Sequence, residues 1–162
     1  MTTIAEIIKQ MIEYLKGDLR DINHFLTVWS YAKTIGELEK LDEETQYVLE
    51  VAAVTHDIGC PLCREKYKSI EGPLQEKEGA VLVKEFLKDT TLTNQEIDRV
   101  SYLVGHHHTL SEIDGLDYQI LIEADYIVNA AESNYSKENI ENFCCKFFKT
   151  EAGIKLLKAV FP

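Results

Sequence analysis

Tyr47-Val-Leu-Glu-Val-Ala-Ala-Val-Thr-His-Asp-Ile-Gly59 is an apolar run that ends on a histidine and an aspartate side by side. It lacks the alternation of a half-buried strand and reads as a helix closing near Asp57, stopped by Gly59 and Pro61. Adjacent side chains on a helix point about 100° apart, so His56 and Asp57 serve one cluster only near a helix end or around a shared ion. A carboxylate without compensation among Ala53, Val54 and Ile58 is costly to bury. A divalent cation removes that cost and uses the imidazole as well. Taken alone, a His-Asp pair is more often a surface feature, so the weight rests on what accompanies it.

Two distant segments accompany it. In Asp21-Ile-Asn-His-Phe-Leu-Thr-Val-Trp-Ser-Tyr-Ala-Lys-Thr-Ile35 the residues Val28, Ala32 and Ile35 recur at helical spacing, and His24 falls on their stripe. A core histidine satisfied by a backbone carbonyl is the plainer reading of His24 by itself. In Tyr118-Gln-Ile-Leu-Ile-Glu-Ala-Asp-Tyr-Ile-Val-Asn129, Asp125 has Leu121, Ile122 and Val128 on its own face. A buried aspartate with no partner is harder to accommodate. One cation shared by His24, His56, Asp57 and Asp125 accounts for all four.

The order His, His-Asp, Asp resembles the HD superfamily of metal-dependent phosphohydrolases. His24, His56, Asp57 and Asp125 match its four signature ligands, and the likeness runs over residues 20 to 130. The contexts match too: Val-Ala-Ala-Val-Thr-His-Asp-Ile-Gly, then Glu-Gly-Ala-Val-Leu-Val, then Glu-Ala-Asp-Tyr-Ile-Val-Asn. The resemblance implies an all-α fold, a divalent transition metal and a nucleotide or related small phosphoester as substrate. Iron, manganese, nickel or cobalt suit mixed imidazole and carboxylate ligands. One metal site is expected and a second is allowed. In members that hold two metals, a pair of histidines and an earlier histidine build the second site. The stretch matching the earlier one, Gln75-Glu-Lys-Glu-Gly-Ala80, contains no histidine. Either Glu76 supplies an oxygen there, or the second site is weak or missing. The same departure argues against the di-iron oxygenases of the superfamily. A sensor that binds metal or nucleotide without turnover stays open.

Helical periodicity extends through the rest of the chain. Helices are expected over Ile4 to Leu15, Ile22 to Leu38, Asp42 to Asp57 with Asp42 as N-cap, and Lys77 to Leu87. Others are expected from the capping box Thr93-Asn-Gln-Glu96 to Gly105, from the turn Ile113-Asp-Gly-Leu through Asp125, over Lys137 to Phe148, and over Glu151 to Ala159. Cys60 to Leu74, with Gly72-Pro73, is expected to be an irregular loop. The fold class is therefore a single-domain all-α helical bundle over residues 1–162.

Composition limits the partners. At 162 residues with 45% hydrophobic content, the chain can bury a real core. A formal net charge of −11 repels polyanions, so nucleic acid is not an expected partner. No apolar run is long enough to span a bilayer, and the first residues lack a secretory pattern, so no membrane is expected and the cytoplasm is the expected compartment. The expected partner is a small phosphorylated substrate, held where bound cations reverse the local sign. A homodimer stays open. Cys60-Pro-Leu-Cys63 and the vicinal Cys144-Cys145 are read as reduced thiols in preference to zinc or redox sites, with Cys60 close enough to the His-Asp pair to touch the site's edge.

The remaining candidates flank the four ligands. In Gly105-His-His-His-Thr109 the stripe Ile97, Val100, Val104 continues to position 107. His107, with His106 second, is expected to face the metal pocket as ligand or proton donor, and His108 to face solvent or the turn that follows. Asp57 and Asp125 are expected to act on the attacking water, with His107 or Glu76 as proton donor. Arg64, Lys66 and Lys68 are candidate phosphate grips, although a solvated loop is the plainer reading of them.

Overall fold

Six helix starts carry a side-chain cap, each worth about 1 kcal/mol. Thr3 caps α1 (Ile4–Leu15), Asp18 caps α2 (Leu19–Leu38) and Asp42 caps α3 (Glu43–Thr55). Thr93 caps α6 (Asn94–Val104), Ser136 caps α8 (Lys137–Phe147) and Thr150 caps α9 (Glu151–Val160). Thr93 and Glu96 form the reciprocal capping box expected from their spacing, and Thr3 with Glu6 forms another. The computed structural model describes residues 1–162 as nine helices with no strand.

The segment Cys60–Leu74 departs from expectation. It holds α4 (Cys60–Tyr67) and the start of α5 (Gly72–Leu87). Pro61 and Pro73 both sit in first turns, where no backbone N–H is needed and the fixed φ suits a helix. The prolines that read as breakers therefore open helices. Close approach fixes how α5 lies against the end of α3. A Cβ on Gly59 would fall 2.9 Å from the Gln75 carbonyl oxygen, and one on Gly79 would fall 2.9 Å from Val104.

A single cluster of 33 buried apolar residues runs from Ile7 on α1 to Leu157 on α9, so no second core divides the chain. At its centre lies α7 (Leu116–Glu132), in which every residue from Asp117 to Val128 is buried. α2 packs along both α3 and α7. Burying a whole helix also buries its polar side chains, and each then needs a partner. Asp117 has Arg99, whose Nε and Nη2 donate at 2.8 and 2.7 Å. Glu123 is closed by donors around the start of α9. Asp125 is treated differently.

Candidate metal centre

The packing of α2 on α3 and α7 brings His24, the His56-Asp57 pair just past α3, and Asp125 to one point. The end of α6 adds His107. Each histidine is held through Nδ1. His56 Nδ1 donates to the Ala53 carbonyl at 2.7 Å, and His107 Nδ1 donates to the Val104 carbonyl at 2.7 Å. His24 Nδ1 donates to the Glu132 carboxylate, 3.0 Å from either oxygen. An acceptor on Nδ1 fixes the tautomer and leaves Nε2 as the ligating nitrogen. All three Nε2 atoms face the carboxylates.

The spacing of these atoms is that of ligands about an ion. His24 Nε2 and His56 Nε2 are 3.2 Å apart. Asp57 Oδ2 lies 3.2 Å from His24 Nε2 and 3.4 Å from His56 Nε2. Asp125 Oδ1 lies 3.3 Å from each of the two nitrogens. Ligands about 2.1 Å from a transition metal stand roughly 3.0 to 3.4 Å from one another in octahedral or tetrahedral geometry. Two buried atoms of the cluster, Asp125 Oδ1 and His107 Nε2, have no hydrogen-bond partner in the protein. Such atoms cost free energy unless something outside the chain satisfies them. The donor set therefore fits a divalent transition metal.

Charge is also arranged for a cation. Burial opposes ionisation of Asp57 and Asp125, but the facing histidines hold both carboxyls well below the usual range. Burial likewise opposes a charge on His24, yet the facing Asp125 and Asp57 carboxylates push its imidazole up to about 11. Without metal, a proton on His24 thus supplies the positive charge that the two carboxylates require.

A second group of donor atoms lies beside the first. Asp57 Oδ1 is 3.3 Å from His107 Nε2, and His108 completes a set with these two. Asp57 can therefore bridge, one oxygen to each group. Gln75 stands where the sequence lacks a histidine. It is buried, its amide nitrogen donates to the Ile70 carbonyl, and its oxygen lies 2.9 Å from His108 Nε2. That orientation makes His108 Nε2 the donor. Burial and the charge of His107 push His108 down to about 4, so its ring is neutral at pH 7.

The histidine run thus needs correction. His107 is buried and faces the site, as its stripe implies. His106 does not: its ring stacks on Tyr102 with centroids 3.9 Å apart, and its Nδ1 donates to the Tyr102 carbonyl. His108 is exposed, as expected, but its ring also lines the cavity at the site. The reason is local. α6 ends at Val104, and the next turn closes with bonds from His106 N to Leu103 O and from Thr109 N to His106 O. Those three-residue steps rotate side chains faster than an α-helix does, so the pattern holds for one more contact and then fails. Glu76 is also displaced from its expected role. Its carboxylate accepts from His108 N at 3.2 Å and Thr109 Oγ1 at 2.8 Å, pinning this turn from outside the pocket.

A cavity of about 180 Å³ opens over the first group, lined by Arg20, Arg64, Gln75, His108, Asn129 and Glu132 among others. Arg64 reaches it while holding Asp21 at 2.7 and 3.0 Å. Lys66 and Lys68 do not line it. Lys66 bonds Glu78 at 3.0 Å, and Lys68 is the left-handed residue ending α4, so the helical turn of that segment carries both away. Cys60 lines the same cavity, while Cys144 and Cys145 lie on α8; none of the four is in a disulfide.

Sequence reasoning missed Arg20 and Glu132, though spacing carried a signal for both. Arg20 is four residues before His24 and Glu132 is seven after Asp125, the intervals that return to one helix face.

Three comparisons bear on this arrangement. The family described as HD domain matches residues 21–139 of the chain. A crystal structure described as that of a predicted HD superfamily hydrolase, from an uncultured Thermotogales bacterium, aligns with a TM-score of 0.71 at 23% identity. It covers 97% of this chain and 84% of that one, and at such identity the likeness is one of fold. No curated protein matches.

Proposed function

The chain belongs to the HD-domain family, and we propose that it is a metal-dependent phosphohydrolase, cleaving a nucleotide or other small phosphoester. The observation that carries this reading is the set of inward donors 3.2 to 3.4 Å apart, two of them unsatisfied, beneath a cavity that holds arginines.

His24, His56, Asp57 and Asp125 would hold the first metal, with iron, manganese, nickel or cobalt suited to them. A bound cation supplies positive charge that polarises a phosphoryl oxygen and acidifies water. The protein supplies the rest. Arg20, which has no acid partner, and Arg64 lie where they can grip the outer phosphate oxygens. Asp125, held by its buried helix, orients the attacking water, and Asp57 shares that task. His107 keeps a proton more firmly than a free imidazole: burial opposes this, but the facing Asp57 carboxylate outweighs it. It can pass that proton to the leaving oxygen. A second cation would be held by Asp57, His107 and His108, and more weakly than the first because Gln75 offers an amide in place of a histidine.

The test is to strip the protein, add back each of the four metals, and measure phosphate release from mono- and diesters. Turnover restored by at least one metal is expected. Stoichiometric metal binding without turnover on any ester would remove the hydrolase reading and leave a metal-binding sensor.

A further inference from the structure

Beyond the metal centre, on the side away from the arginines, lies a larger cavity of about 400 Å³. It shares His108, Asp125 and Asn129 with the first cavity, so a single ligand can occupy both. Its chemistry differs. The ring of Phe143 lies flat on that of Tyr126, with centroids 3.7 Å apart and planes 7° from parallel, and Tyr135 leans in at 5.7 Å from Tyr126. Tyr135 and Leu110 at its rim stay 37% and 36% exposed, an unusual place to leave large apolar side chains. No lysine or arginine lines it, and the ionisable groups at its inner end are the Asp125 carboxylate, His107 and His108. An anion is therefore disfavoured here, in contrast to the arginine side.

Two amides add polar direction. The Tyr126 hydroxyl donates to Asn139 Oδ1. Burial raises that phenol to about 12, so it remains a donor at any ordinary pH. With its oxygen engaged, Asn139 keeps its amide N–H groups uncommitted, and the side chain of Asn129 is uncommitted as well. Aromatic faces at the wall with free amide donors at the edge are the complement of a flat ring bearing acceptor atoms.

We propose that this cavity is the specificity subsite of the enzyme, and that it receives a neutral, planar heteroaromatic ring carried by the alcohol of a phosphomonoester, with Tyr135 and Phe143 stacking on the ring and Asn139 donating to its edge. The proposal rests on the hydrolase reading for the word enzyme, but the subsite itself does not. It puts the phosphate on the arginine side and the departing alcohol on the side of His107, which lines this cavity.

The experiment has two arms. Uridine and adenosine, which carry a ring and no phosphate, are titrated into metal-free protein with labelled tyrosine and phenylalanine rings, and the resonances are followed by NMR. Saturable shifts at Tyr126, Tyr135 and Phe143 are expected, with binding about tenfold weaker in Tyr135→Ala and in Phe143→Ala. Tyr135 is partly exposed, so its variant keeps the test readable if Phe143→Ala folds poorly. In the second arm, manganese-loaded protein is given nucleoside monophosphates, phenyl phosphate and glycerol phosphate. We expect kcat/KM for the nucleotides to exceed that for glycerol phosphate by about tenfold or more, with phenyl phosphate between, and Asn139→Leu to narrow the gap between nucleotide and phenyl ester. Ring binding without turnover of any ester would uphold the subsite and overturn the hydrolase reading. Turnover with equal rates on all esters, and no shift at the three rings, would overturn the subsite and leave the hydrolase reading standing.

Discussion

Glu123 and Asp125 lie two residues apart on α7, both buried and both carboxylates, and the protein treats them in opposite ways. Glu123 is enclosed by its own chain. Thr150 Oγ1 donates to Oε1 at 2.6 Å, and Gln119 Nε2, Lys149 N and Thr150 N donate to Oε2 at 2.6, 3.0 and 3.2 Å. It sits at the start of α9, where the helix dipole favours negative charge. Asp125 faces imidazoles and another carboxylate, and its Oδ1 has no donor. Two residues on a helix turn the side chain through about 200°, so one face of α7 docks a helix while the other builds a site. A buried acid closed by protein donors is structural; one left open among lone pairs is set for a ligand.

The largest effect is expected at Asp125. Asp125→Ala should lower turnover by about a thousandfold, through several kcal/mol of lost charge stabilisation at phosphorus. Its metal content, read by elemental analysis, should collapse, and the metal-free variant should also melt below the parent, because a carboxylate held ionised by the facing histidines has gone. Full metal occupancy would contradict the assignment. Glu123→Ala is its counterpart: a stability loss of about 3 kcal/mol in urea titration, from donors left unpaired around the start of α9, with metal stoichiometry unchanged. If Glu123→Ala lost metal, the division between the two faces would fail.

The adjacent histidines sharpen the same contrast. His107→Ala should lower kcat by about a hundredfold, while His106→Ala, whose ring packs on Tyr102 outside the pocket, should leave kinetics nearly unaltered. Equal losses in both would mean that the turn after α6 is misread. The smallest expected effect concerns protons. In metal-free protein His24 is held up to about 11, and a cation must displace that proton to bind. Affinity should therefore weaken by about tenfold for each unit that pH falls between 8 and 6. A flat profile by calorimetry would show that His24 carries no proton without metal.

Much of this was legible in one dimension. The four ligands could be found because each is a polar residue where a helical stripe calls for a hydrophobe, and His107 could be found by continuing the stripe of α6. The errors occur where periodicity stops. His106 turns away from the site, and His108 reaches its cavity while staying exposed, because a tight turn succeeds the helix. Lys66 and Lys68 leave the site because Pro61 starts a helix where a loop was expected, and that helix sends them outward. Glu76 supports a turn whose backbone comes from a segment about thirty residues away, a contact that no local pattern records.

The sequence alone determined that the chain is all helical, where most helices begin, and which ionisable side chains must share a buried point. Those facts follow from spacing, capping and the cost of burying charge, all of which act locally. Only the tertiary structure decided which nitrogen of each histidine faces the cluster, that Gln75 holds His108, and that Glu132 supports His24. It also separated a polar cavity with arginines from an aromatic one. Each of these depends on which carbonyl, carboxylate or ring lies across from a side chain, and that is settled by how the helices pack rather than by any residue's neighbours in the chain.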